Sequence, residues 1–112
     1  MSSINFNNKK FKLLDNSLNG QVNNQTTFEY KQEGDLVTAD YHGGTVVYGK
    51  IIAQLKNKTL HMLYNCLTAE KELKAGKATG RISLNKEGKI LMHLDWQWLE
   101  SEANGNSIYI EI

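Results

Sequence analysis

The segment Ile90-Leu91-Met92-His93-Leu94-Asp95-Trp96-Gln97-Trp98-Leu99 has the period of a β-strand. At period two, Ile90, Met92, Leu94, Trp96 and Trp98 share one face, and Leu91, His93, Asp95, Gln97 and Leu99 share the other. Asn85-Lys86-Glu87-Gly88 precedes it and Ala103-Asn104-Gly105 follows it, both of turn composition. Beyond the second turn, Ser107-Ile108-Tyr109-Ile110-Glu111-Ile112 reads as another strand. A chain end is ordered when the structure ties it down, so this segment is expected to close a sheet.

The same rhythm runs back through the chain. Candidate strands fall at about 9–14, 25–32, 35–41, 45–56, 59–67, 74–84, 89–99 and 106–112. Glu33-Gly34, His42-Gly43-Gly44 and Asn57 separate the earlier ones, and no proline interrupts any of them. Only the first connection, Asn16 to Asn24, is long. The rest are too short for a parallel crossover, so successive strands must pair antiparallel. A meander of eight strands exposes two edges, and closure removes both. The expected fold is therefore all-β: one domain over 1–112, an eight-stranded antiparallel up-and-down barrel of the lipocalin or avidin type.

One stretch supports an alternative. Leu60, Leu63, Tyr64 and Leu67 fit helical spacing, and Thr68-Ala69-Glu70-Lys71-Glu72-Leu73-Lys74 is good helix material with Gly76 as a stop. An α+β domain with a helix at 60–75 is the competing fold. The preferred reading keeps strands there, because Leu60 to Cys66 also alternates, with at most a short helical turn near 68–75.

Composition narrows the function. The chain has 112 residues, 40% hydrophobic and 22% charged, with a net charge of +1, which suits one globular domain with a single core. Thirteen basic and twelve acidic residues are interspersed, whereas a nucleic-acid binder would carry a basic stripe. No run approaches a membrane-spanning helix. The N-terminal residues lack the apolar stretch of a signal peptide. Cys66 is the only cysteine, so no intrachain disulfide can form. These features set the expectation of a cytoplasmic chain that binds neither nucleic acid nor membrane; they leave its oligomeric state open.

Motifs that could carry chemistry are weak. Gly44 to Lys50 has the glycine and lysine spacing of a phosphate loop, but Ile51 stands where a hydroxyl would hold magnesium, and Thr45-Val46-Val47-Tyr48 begins a strand. These glycines read as a turn and a point of close strand packing. His42, His61 and His93 are dispersed, and His61 and Cys66, five apart, fall on opposite strand faces. No metal site and no cofactor is expected. Cys66 reads as a buried structural thiol.

A barrel interior can hold a small molecule between apolar walls and a few polar groups. Two assignments of residues 89–99 are open: the tryptophan face as core or pocket wall, or His93, Asp95 and Gln97 as inward polar contacts. The last strand poses the same question, with Ile108, Ile110 and Ile112 opposed to Tyr109 and Glu111. Inward carboxylates would need a partner, and Arg81, the single arginine, is the candidate. The candidate ligand-binding residues are Arg81, His93, Asp95, Trp96, Gln97, Trp98, Tyr109 and Glu111.

Phe28 to Gly34, Tyr41 to Gly44 with Gly49, Gly88 to Trp98 and Ser107 to Ile112 together resemble a family of small bacterial proteins labelled N-acetylglutamate synthase. The resemblance covers most of residues 28–112. The label implies acetyl transfer from acetyl-CoA to glutamate. Read alone, Gly76-Lys77-Ala78-Thr79-Gly80-Arg81 does not fit the Gln/Arg-x-x-Gly-x-Gly/Ala loop of acetyltransferases, which cradles pyrophosphate at a helix start. The preferred function is a small barrel with a possible small-molecule ligand. The alternatives are the acetyltransferase and a solid interaction domain without a ligand.

Overall fold

The computed structural model describes residues 5–16, 25–99 and 102–112. Every regular element among them is a strand: β1 (Lys9–Asn16), β2 (Thr27–Glu33), β3 (Leu36–Gly43), β4 (Val46–Lys56), β5 (Thr59–Thr68), β6 (Leu73–Leu84), β7 (Ile90–Trp98) and β8 (Asn104–Glu111). Each pairs antiparallel with the next, and β8 returns to β1 to close the barrel in chain order. The closing register sets Phe11 against Glu111 and Leu13 against Tyr109, with an irregularity between Leu13 and Asp15. The expected long first connection lies outside the described residues from 17 to 24.

Turn chemistry fixes the registers. Asn57 and Lys58 both take positive φ between the paired residues Lys56 and Thr59, as a tight two-residue hairpin with right-handed strand twist requires. Gly43 takes φ 112°, and a Cβ added there would strike the carbonyl oxygen of Gln25. The helical alternative at 60–75 does not form. Thr59–Thr68 is continuous strand, and residues 69–72 make a tight turn in which Thr68 N donates to Glu72 O at 2.9 Å and Lys71 N to Thr68 O at 2.9 Å. Strand pairing on both sides outweighs the local helix propensity of Ala69-Glu70-Lys71-Glu72.

The core lies inside the barrel. Phe11, Phe28, Tyr30, Val37, Tyr41, Leu60, Met62, Met92 and Trp96 are all buried, while Lys10, Lys12, Lys50, Lys77 and Arg81 face solvent. At the end where β1 begins, Phe6 plugs the barrel, its ring 5.7 Å from Phe11 and 5.4 Å from Tyr30. Phe6 N donates to Gln32 Oε1 at 2.8 Å and so holds the plug in place.

Candidate functional site

The inner wall changes character along the barrel axis. Toward Phe6 it combines the aromatic cluster of Phe6, Phe11, Phe28 and Tyr30 with the aliphatic side chains of Val37, Leu60 and Met92. Toward the opposite end, where β7 finishes and β8 begins, it is built of aromatic rings and polar groups. β7 contributes Trp96 and Trp98, β5 Tyr64, Cys66 and Thr68, β8 Ser107 and Tyr109, β3 Tyr41, and β6 Lys74.

Small residues on β6 make this wall possible. Gly76 pairs with Tyr64 on one side and Trp98 on the other. A Cβ at 76 would lie 2.5 Å from the Tyr64 ring, so the absence of a side chain lets the ring lie against the backbone. The same holds for Gly49, whose Cβ would come within 2.1 Å of the ring of its partner Tyr41. A ring laid over a cross-strand glycine supplies the packing that the glycine lacks.

Hydrogen bonds fix the rings. Trp96 Nε1 donates to Ser107 Oγ at 2.9 Å in a buried contact, and Tyr41 Oη donates to Asn65 O at 3.1 Å. Burial pushes the hydroxyls of Tyr41, Tyr64 and Tyr109 far above the usual phenol range, so they remain neutral O–H groups. Burial also raises the Cys66 thiol, opposed by Tyr41 and by the Lys74 ammonium. It is a wall component and not an activated nucleophile. Trp98 is half-buried, meets Tyr64 edge to face at 5.5 Å, and carries the Lys74 ammonium 5.4 Å from its centroid.

Of the candidate ligand-binding residues, Trp96, Trp98 and Tyr109 come together at this end. The others are elsewhere. His93, Asp95 and Gln97 point outward from β7, and Arg81 stands opposite His93 on the outer face of β6. Glu111 faces inward at the Phe6 end, where its Oε1 accepts from Ile90 N at 3.0 Å and its Oε2 pairs with Lys9 Nζ at 3.1 Å. The polar cluster of Arg81 with Asp95 and Glu111 therefore does not form: the alternation that buries the tryptophans turns Asp95 out. Asp95 and Gln97 instead line an open groove of about 970 Å³ on the barrel exterior, with His61, Lys77 and Thr79. It is open to solvent, so it lacks the enclosure of a small-molecule pocket.

Residues 4–112 match the profile of the Avidin-like protein family. The chain belongs to the avidin-like family. The match spans all eight strands, and the closed antiparallel meander is the architecture that the family name denotes. No curated protein and no solved structure gives a significant match. Within this avidin-like barrel, Tyr41, Tyr64, Cys66, Thr68, Lys74 and Ser107 line the same end but were not among the candidates read from the sequence. Period two on β5, which sets Met62, Tyr64 and Cys66 on one face, was the signal that could have found two of them.

Proposed function

We propose that this avidin-like barrel binds a small molecule at the Trp98 end of its lumen. The observation that carries the reading is the difference between the two ends: fully buried Phe6 plugs one, whereas the other gathers the half-buried side chains of Tyr64, Lys74 and Trp98 with the hydroxyls of Tyr41, Ser107 and Tyr109. Binding sites combine apolar and aromatic walls with a few placed polar groups, and Tyr41, Tyr64, Ser107 and Tyr109 supply such groups at that end. The family gives biotin as the first ligand to test. The competing reading is a solid barrel. It is favoured by the ring contact of Tyr64 with Trp98, which occupies space that a ligand would want.

Titration of tryptophan emission separates the two. Trp96 and Trp98 are the chain's two tryptophans, and both belong to the proposed wall. Biotin, and then a panel of small ring-bearing metabolites, is expected to include a compound that shifts their emission saturably and raises the melting midpoint. A panel in which every compound leaves both readouts unchanged would favour the solid barrel.

A further inference from the structure

On the outside of the barrel, side chains of neighbouring strands stand in rows that cross the sheet. Ile52 opposes Leu63, Leu63 opposes Lys77, Lys77 opposes Gln97, and Gln97 opposes Asn104. Two residues away on each strand, Gln54, His61, Thr79, Asp95 and Asn106 pair in the same way. Both rows are exposed. Between them lie Ala53, Met62, Ala78, Trp96 and Gly105, of which the four with side chains bury them, so backbone floors the space. The exterior groove of about 970 Å³ is this trough. It crosses β4 to β8, four strand spacings or about 19 Å, and its walls rise about 7 Å apart at the backbone.

The lining narrows the occupant. A long trough open to solvent suits a linear polymer better than a compact small molecule. Among the described residues that line it, the charged ones are Lys77, Asp35 and Asp95. Two acids against one base do not favour a polyanion. The barrel is closed, so no free strand edge can hold an extended peptide through its backbone. The walls offer instead groups that both donate and accept: the carboxamides of Gln54, Gln97 and Asn104, the Thr79 hydroxyl and the His61 imidazole. Gln54 Nε2 donates to Asp35 Oδ2 at 3.4 Å, and Asn104 Nδ2 to Glu102 O at 3.5 Å. A carboxamide has two N–H donors and an acceptor oxygen, so these single long bonds exhaust neither. Hydroxyls repeated along a neutral chain match such a ladder, and Ile52 and Leu63 give apolar surface to the C–H faces of its rings. A strand face of the OB barrel takes oligosaccharides. We propose that the trough binds a neutral, unbranched oligosaccharide laid across β4 to β8, independently of any ligand in the lumen.

The intact chain, labelled with nitrogen-15, is titrated with cellopentaose, maltopentaose and chitopentaose, and its backbone and side-chain amide resonances are followed. At least one pentasaccharide is expected to shift the side-chain amides of Gln54, Gln97 and Asn104 saturably, and its disaccharide should bind more weakly because it spans less of the trough. Gln97→Ala and Thr79→Ala should each weaken binding about three- to tenfold, the scale of a lost hydrogen bond. Ser83→Ala, on the outer face of β6 beyond the groove, should leave it unchanged. An oligogalacturonate of equal length and a glycine–serine decapeptide stand for the polyanion and the peptide, and both should bind more weakly than the sugar. Absence of shifts with all three pentasaccharides, shifts confined to lumen residues such as Cys66 and Tyr109, equal losses in Ser83→Ala, or tighter binding of either control would overturn the proposal. None of these outcomes bears on the lumen reading, which the tryptophan titration tests separately.

Discussion

Tyr64 and Trp98 reach each other across Gly76, their common register partner, and their rings meet edge to face at 5.5 Å. Two positions on, Met62 and Trp96 flank Ala78, and beyond that Leu60 and Leu94 flank Gly80. β6 is thus a strip of small residues over which the large side chains of β5 and β7 close. The sequence feature is Gly76-Lys77-Ala78-Thr79-Gly80, and its structural effect is contact between two strands that are not hydrogen-bonded neighbours.

Gly76→Ala tests this directly. The new methyl would meet the Tyr64 ring at 2.5 Å and Gln97 O at 2.7 Å, neither of which can yield easily. Overpacking of this kind costs about 1–3 kcal/mol. A lower urea midpoint with an unchanged slope is expected, together with altered tryptophan emission as Trp98 loses its neighbour. Gly80→Ala should cost less, because its close contact is Leu94 Cδ2, the end of a side chain that can rotate away.

The barrel was legible in the sequence because short connections force antiparallel pairing and period two divides β7 into two faces, although it left open which of them points inward. β8 was harder. Ile108, Ile110 and Ile112 look like a core face, and hydrophobicity alone turns them inward. Register decides otherwise: Met92 opposes Tyr109 and Leu94 opposes Ser107, and residues opposite one another share a face. The isoleucines therefore point out, where Ile110 and Ile108 shelter beside Leu91 and His93. The candidate site was half legible for the same reason. Trp96 and Trp98 announce themselves, whereas Ser107, Tyr64 and Lys74 acquire meaning only through strands distant in sequence.

Substitutions on β8 should reflect that inversion. Tyr109 is 6% exposed and packs against Phe28 at 4.9 Å, so Tyr109→Ala is expected to cost about 3–5 kcal/mol. Ile108→Thr, on the outer face, should cost under about 1.5 kcal/mol. Denaturant midpoints measure both, and a larger loss from Ile108→Thr would contradict the register.

Glu111 gives the fold a dependence on pH. The hydrogen bond from Ile90 N holds its carboxyl below the usual range, aided by Lys9 and Lys89 and opposed by partial desolvation. A carboxyl whose folded pKa is lowered stabilises the fold fully above its unfolded pKa, about 4.3, and loses that contribution as pH falls through the folded value. The stability difference between the unaltered chain and Glu111→Gln should therefore shrink as pH is lowered from about 6 to about 3, when measured by urea unfolding at each pH.

Acetyl transfer to glutamate is expected to be absent. Pyrophosphate cradles use the converging amides of a helix N-terminus, and the described residues form strands throughout. Purified protein given acetyl-CoA and glutamate should release coenzyme A no faster than a heat-denatured control. Sustained release that heating abolishes would restore the acetyltransferase reading.

The tryptophan strand provides the sharpest contrast between two neighbouring residues. Trp96 is 7% exposed, and its indole N–H is satisfied by Ser107 Oγ inside the barrel. Gln97 is exposed on the outer face. Trp96→Ala removes one of the larger buried side chains and is expected to cost about 3–5 kcal/mol, whereas Gln97→Ala should stay within about 0.5 kcal/mol. Ser107→Ala falls between, at about 1–3 kcal/mol, because it strands the indole N–H in a buried site. Trp96→Phe with Ser107→Ala removes donor and acceptor together. The double substitution should thus cost less than the sum of the two single ones. Strict additivity would mean that the Trp96–Ser107 bond does not form.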